Sequence, residues 1–214
     1  MADPAEPALL LREDRDGVAT LTLNRPSARN ALSFALLEAM RDAFAALAED
    51  ESVRAVVLAA SGPAFCAGHD LKEMTGYRGE PDGGARQFEK LFGLCSAVMM
   101  AIPALPQPVI AAVEGVATAA GCQLVASSDL AVAGANARFA TPGVQIGLFC
   151  STPMVALSRN LSRKAAMRML LTADLVGAEE ARALGLVSDV TQAGAALAHA
   201  QDLAKGIEIG RAHV

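Results

Sequence analysis

The stretch that most constrains this chain is Gly115–Ser128, which reads GVATAAGCQLVASS. An apolar run at Pro108–Val113 precedes it and predicts a buried strand. Small residues then predict a tight turn, and a helix is expected to begin near Ala119–Gly121. This order places unpaired backbone N–H groups at the carboxyl end of a sheet. Such a point suits an anion, or an oxygen that becomes negative during a reaction.

A second segment of the same kind is Pro63–Met74, which follows a predicted strand at Arg54–Ala60. Gly68 permits a turn that directs the N–H of His69 into a cleft. Together with the N–H of Ala120, this predicts a site with two backbone donors. Each segment alone is also typical of an ordinary structural turn, so both interpretations stay open at this point.

Several polar side chains near these turns also have two interpretations. His69 could carry a proton near neutral pH. A binding role is favoured, because the only nearby carboxylate is that of adjacent Asp70, whose side chain should diverge from the ring. Gln123 lies one turn into the predicted helix and can donate and accept hydrogen bonds without exchanging a proton. We expect the carboxylates of Glu114 and Asp129 to make structural hydrogen bonds. The cationic side chains could either contact phosphates or be solvated at the surface; they are Arg25, Arg29 and Lys72.

Composition excludes several classes of protein and site. A net charge of −5 without a basic stripe argues against a nucleic-acid partner, and no apolar run reaches the roughly 18 residues that span a membrane. The four cysteines form no C-x-x-C pair, so neither a metal site nor a disulfide framework is expected. Residues 1–8 are predicted to be a disordered tail without a targeting signal, so we expect a cytoplasmic location.

The order of elements predicts an α/β fold. Asp16-Gly17 between two short β patterns predicts a hairpin, and a helix should run from Ser33 to Ala48. Strand–strand–helix units then recur, and helices dominate from Ser151 onward, which favours a spiral or layered fold. We expect one core domain at residues 9–190 and a C-terminal helical region at 191–214. Further predicted elements are a helix at Gln87–Ile102 ended by Pro103, and strands at Asp129–Ala133 and Ala137–Ala140.

Four stretches carry a family resemblance: Leu23–Pro26 with Asn30–Leu32, Ala64–Met74, Pro108–Gly115 and Ala178–Val187. With them the chain resembles the crotonase superfamily, the enoyl-CoA hydratase/isomerase family, from about residue 9 to about residue 205. The resemblance implies a right-handed spiral of ββα units with a C-terminal helical region, assembled as a homotrimer or a dimer of trimers. Because the family continues for more helices, a truncated helical region is expected, ending in a tail at 208–214 without family likeness.

The same resemblance implies an acyl-CoA ligand whose thioester oxygen lies between the N–H groups of His69 and Ala120. The loop Ala67–Leu71 would hold the adenine and pantetheine through its backbone, and Arg29 would approach a CoA phosphate. No cofactor is implied beyond the CoA thioester itself. The implied catalytic positions are His69, Ala120, Gln123 and Gly143, and the implied binding positions are Ala28, Arg29, Ala67, Gly68, His69, Asp70, Leu71, Ala120, Pro142 and Gly143.

The sequence departs from the family at the two positions where its hydratases use glutamates, which here are Gln123 and Gly143. Two N–H donors can stabilise an oxyanion or enolate, but general acid–base catalysis is worth about 10²–10⁴-fold. Weak hydration is therefore expected from a protein of fatty-acid metabolism, with lyase, isomerase or decarboxylase-like chemistry. The alternative is a catalytically silent acyl-CoA-binding partner of true hydratases. Gly143 is expected to leave room in the pocket.

Overall fold

The structure is a computed structural model that describes residues 7–207. The strands are β1 (Leu10–Arg15), β2 (Val18–Leu23), β3 (Ala55–Ala60), β4 (Ala64–Cys66), β5 (Val109–Val113), β6 (Val116–Thr118), β7 (Leu130–Gly134), β8 (Arg138–Ala140), β9 (Val176–Gly177) and β10 (Asp189–Thr191). The helices are α1 (Phe34–Ala48), α2 (Leu71–Tyr77), α3 (Ala85–Ala104), α4 (Ala120–Ser127), α5 (Ser151–Asn160), α6 (Arg163–Thr172), α7 (Ala178–Leu184) and α8 (Ala196–Gly206). Short 3₁₀ turns lie at Pro26–Ala28 and Pro142–Ile146.

The strands divide between a six-stranded sheet, ordered β1-β2-β3-β5-β7-β10, and a four-stranded sheet, ordered β4-β6-β8-β9. Three times the chain passes from a strand of the large sheet to one of the small sheet and then into a helical segment. The strands from successive passes pair in parallel within each sheet. This repetition is the predicted spiral of ββα units, and it places each strand-to-helix turn on the same side.

The local signals at the start of the chain are confirmed. Asp16 and Gly17 both have positive φ, at 52° and 77°, and join β1 to β2 as an antiparallel hairpin. Ser33 caps α1, because its Oγ accepts the N–H of Leu36 at 3.2 Å. The buried face of α1 belongs to the main core, and its side chains are Leu36, Leu37, Met40, Phe44 and Leu47.

A smaller second core lies where α8 contacts β2, β3, β5 and β7 of the large sheet. Ala196, Ala200 and Ala204 form the buried face of this helix. Glu114 fixes its beginning, because Oε1 accepts the N–H groups of Gly194 and Ala196 at 2.9 and 3.1 Å. Asp129 likewise accepts the N–H of Val109 at 2.7 Å. Both carboxylates therefore have the structural role that the sequence predicted.

Several expectations were wrong in detail. The strands β4 and β6 occupy segments predicted as loop and turn. Pro103 does not end α3, which continues to Ala104, because a proline in the last turn removes only one helical hydrogen bond.

Residues 1–6 and 208–214, where a tail was predicted at each end, lie outside the described residues. Within residues 7–207 no helix has the length and apolarity needed to cross a bilayer.

Candidate functional site

The backbone N–H of His69 points away from Leu32, the residue beside which this loop runs. Gly68 O accepts the N–H of Leu32 at 2.8 Å, and Asp70 donates its N–H to Leu32 O at 3.1 Å. Since successive residues of an extended chain point in opposite directions, His69 N–H points to the other side. None of the hydrogen bonds found within residues 7–207 uses this N–H.

The N–H of Ala120 is also without a partner among the described residues. Ala120 is the first residue of α4, so no intrahelical acceptor lies in reach. The preceding residue, Ala119, has φ 51° and ψ −118°. Its N–H donates to Ala140 O at 2.9 Å and its carbonyl accepts the N–H of Gln123 at 3.0 Å. These two bonds hold the turn that directs Ala120 N–H out of the helix.

Gly68 brings the two segments into contact. It has φ +91°, and a Cβ added there would lie 3.0 Å from Ala119 Cβ and 3.5 Å from Ala120 N. The loop that carries His69 therefore touches the turn that carries Ala120. We call the N–H groups of His69 and Ala120 the amide pair.

Close backbone packing also fixes the first turn of α4. A Cβ at Gly121 would lie 2.1 Å from Cys66 O in β4, so only glycine allows this approach. The helix that begins at Ala120 is thus seated directly on the strand that leads to His69.

A buried asparagine holds the other side of the loop, and sequence reasoning missed it. Asn30 has no exposed surface; its Nδ2 donates to Ser61 O and Ala64 O at 2.8 Å each, and its Oδ1 accepts the N–H of Arg25. Its φ of 52° is a left-handed conformation that asparagine tolerates better than most residues. The one sign of it in the sequence was that Asn30 lies within one of the stretches that resemble the family.

Two side chains at the site contain buried polar atoms without a hydrogen-bond partner, Gln123 Oε1 and His69 Nδ1. Gln123 is 8% exposed. Burial lowers the pKa of the His69 imidazole, although a backbone hydrogen bond at Leu32 and the charge of Glu73 oppose this. The ring is therefore neutral near pH 7. Buried polar atoms in this state are expected to find partners in a ligand or in water.

The space beside Gly143 is filled, contrary to expectation. An added Cβ would lie 2.8 Å from both Cys150 Sγ and Leu148 O. The backbone carbonyl cannot rotate away as a side chain would, so a larger residue requires movement of the segment after the 3₁₀ turn that Pro142 begins. Gly143 does not open a pocket.

The remaining predicted binding residues lie on two segments joined by hydrogen bonds. Arg29 O accepts the N–H of Ala67 at 3.1 Å. The side chain of Arg29 is exposed and has no partner among the described residues, whereas Ala28 is partly buried and Leu71 is exposed. Arg25, considered above for a phosphate contact, instead pairs with Asp70 at 3.0 Å. No group of three or more His, Cys, Asp or Glu suited to a metal occurs within residues 7–207.

The family model for enoyl-CoA hydratase/isomerase matches residues 13–213 of the chain. The chain belongs to the enoyl-CoA hydratase/isomerase family. A solved enoyl-CoA hydratase of Mycobacterium smegmatis is 59% identical and superposes with a TM-score of 0.88, covering 94% of this chain and 77% of that one. Human enoyl-CoA hydratase domain-containing protein 3 is 41% identical in its crystal structure, with a TM-score of 0.86 over 93% of this chain and 77% of that one. These matches confirm the crotonase-like fold.

Curated members of this family add one correction. Enoyl-CoA hydratase domain-containing protein 3 of Rattus norvegicus is 47% identical over 87% of this chain and 60% of its own length. The chain therefore spans about 60% of the length of such relatives. The rat and human relatives are named as mitochondrial proteins, which overturns the expected cytoplasmic location. The 2,3-dehydroadipyl-CoA hydratase of Escherichia coli is 37% identical over 87% of this chain and 71% of its own length.

Proposed function

We propose that this chain binds an acyl-CoA thioester and polarises its carbonyl with the amide pair of His69 and Ala120. The observation that carries the proposal is that both N–H groups lack a partner among the described residues, on segments that touch through Gly68. Donors that are already oriented need no reorganisation when charge develops on an oxygen, and the loss of one typically costs about 10²–10³-fold in rate.

The chemistry we propose is of the enoyl-CoA hydratase/isomerase type, within fatty-acid metabolism, with slow hydration. An enolate or a thioester oxyanion formed at the amide pair would be stabilised by hydrogen bonds alone. Gln123 would orient the acyl group or a water through its free Oε1. Proton transfer would be inefficient, because an amide side chain supplies no proton acceptor near neutral pH.

Calorimetric titration and a steady-state assay on the purified full chain test this proposal. Butanoyl-CoA is expected to bind more tightly than CoA, and crotonyl-CoA to be hydrated slowly. Gln123→Glu should raise the hydration rate by at least about tenfold, since it supplies one acid–base group. Gln192→Glu, at an exposed position, is the matched control for charge and should leave the rate unchanged. If butanoyl-CoA binds no more tightly than CoA, the proposal fails.

A catalytically silent acyl-CoA-binding protein is the second candidate. The crowding at Gly143 favours it, since Cys150 Sγ and Leu148 O occupy the space where a second acid would begin. Tight binding of enoyl-, malonyl- and dienoyl-CoA without any product would support this candidate. Measurable turnover by the wild-type protein that Gln123→Leu abolishes would exclude it.

We further propose that the protein, when full length, assembles as a homotrimer or a dimer of trimers. Support comes from a short segment with four exposed apolar side chains, Ile146, Leu148, Phe149 and Val155, because burial of apolar surface favours association. Light scattering of the full-length protein should give a trimer or hexamer mass. A monomer at micromolar concentration would contradict the assembly but not the ligand.

A further inference from the structure

The side chain of the amide-pair residue His69 is part of a row of rings. The centroid of its imidazole lies 5.4 Å from that of Phe92, with an interplanar angle of 81°. Phe92 lies 6.0 Å from Phe88 at 15°, and Phe88 lies 5.7 Å from Tyr77 at 77°. We call these four residues, His69, Phe92, Phe88 and Tyr77, the aromatic row. The chain has seven phenylalanines and one tyrosine and no tryptophan, so three of its eight aromatic residues meet here.

The far end of the row is firmly anchored. Tyr77 donates its hydroxyl hydrogen to Glu73 Oε1 at 2.8 Å, and Glu73 Oε2 accepts the N–H of Phe34 at 2.9 Å. Burial and the contact with Glu73 raise the pKa of Tyr77 to about 12, so its phenol stays protonated. Phe88 and Phe92 stand four residues apart on α3 and hence on one face of it. The Tyr77 end of the row is therefore fixed by hydrogen bonds through Glu73 to the start of α1.

The near end of the row is open beside the amide pair. Phe92 remains 46% exposed, although its ring touches the side chain of a residue whose N–H is proposed to hold the thioester oxygen. Single exposed phenylalanines need no explanation, but this one continues a packed row to the proposed site.

We propose that the aromatic row binds an aromatic ring carried by the acyl group, so that the preferred ligands are aryl-substituted acyl-CoA thioesters. The inference rests on the proposed function and names its substrate class. Edge-to-face and offset-stacked rings attract each other beyond the area they bury, and the row already uses both arrangements. An alkyl chain would gain only the free energy that comes from burying its apolar area. The expected preference for an aryl group over a saturated ring of equal carbon number is about three- to tenfold in Kd.

Three thioesters with nine acyl carbons and no enoyl double bond provide the test, because none of them can be hydrated. They are 3-phenylpropanoyl-CoA, 3-cyclohexylpropanoyl-CoA and nonanoyl-CoA, titrated calorimetrically into the full chain with CoA as reference. The phenyl ester should bind about three- to tenfold more tightly than the cyclohexyl ester. Phe92→Leu should reduce this preference to within about twofold, and Phe92→Tyr should retain it. Met100→Leu, on the same helix and 62% exposed, should behave as wild type.

The outcomes separate the inference from the proposed function. Equal or tighter binding of the cyclohexyl or nonanoyl ester by the wild-type protein overturns the inference and leaves thioester binding standing. A phenyl preference that survives in Phe92→Leu also overturns it, because the ring would then lie elsewhere. If none of the three esters binds more tightly than CoA, the proposed function fails as well. Thermal unfolding of each variant shows that the fold is retained.

Discussion

Arg25 and Asp70 form an ion pair across 45 positions of sequence, with Nη2 lying 3.0 Å from Oδ2. Asp70 also caps α2 by accepting the N–H groups of Lys72 and Glu73 at 3.1 and 3.3 Å. Burial alone would raise the pKa of Asp70, but these hydrogen bonds hold it below its usual value. The carboxylate next to His69 is thus engaged in holding the loop, and the site relies on backbone groups.

Replacement of Asp70 tests this role. Asp70→Ala removes the helix cap and the ion pair with Arg25, so the free energy of unfolding should fall by about 2 kcal/mol. Asp70→Asn keeps the cap and loses the charge, so it should cost about half as much. Urea denaturation measures both. Equal losses in the two variants would show that the cap contributes nothing.

Ala119 is predicted to hold conformational strain. With φ 51° and ψ −118° it occupies a region that favours glycine, so Ala119→Gly should stabilise the protein by up to about 1 kcal/mol. Ala45→Gly, at an exposed position inside α1, should instead destabilise it by about 1 kcal/mol. Melting temperatures of the two variants give the comparison. A similar loss in both would mean that Ala119 is unstrained.

The crowding beside Gly143 leads to a third prediction, which concerns the free energy of unfolding. Gly143→Ala forces a methyl group to 2.8 Å from Leu148 O, and overpacking of this kind costs about 1–3 kcal/mol. Gly93→Ala is the control, because it lies within α3 with no neighbour within 4 Å of the added Cβ, and it should stabilise by roughly 0.5–1 kcal/mol. Stability that is unchanged in Gly143→Ala would show that the following segment yields freely.

The buried imidazole of His69 should make stability depend on pH. Because burial lowers its pKa in the folded state, the unfolded chain binds the proton first as pH falls through about 6.5. Stability from the neutral ring is present at neutral pH and is lost on acidification. From pH 7.5 to 5.5 the wild-type protein should therefore lose more unfolding free energy than His69→Gln. Equal losses would place the folded pKa at its ordinary value.

A structural feature could be predicted from the sequence where it is set by residues that are neighbours along the chain. The Asp16-Gly17 turn and the Ser33 cap are set by neighbouring residues, and both were predicted correctly. The strands β4 and β6 have three residues each, which is too short for a periodic signal. They form only because the spiral brings them side by side.

The candidate site shows the same division. The sequence indicated His69 and Ala120 through glycine-containing turns that follow strands. The filled space at Gly143 and the contact of His69 with Phe92 depend on segments that meet only in the folded chain. Asn30 was missed because a single asparagine in a turn gives no sign that it will be completely buried.

The central claim is that the amide pair polarises a thioester carbonyl. The most direct measurement is isotope-edited infrared spectroscopy of butanoyl-CoA labelled with ¹³C at the carbonyl, free and bound to the full chain. Hydrogen bonds from His69 and Ala120 should move the carbonyl stretch of the bound ester to lower wavenumber than in water, since two fixed donors replace mobile solvent. A bound ester whose carbonyl stretch stays at its value in water, or moves to higher wavenumber, would contradict the claim.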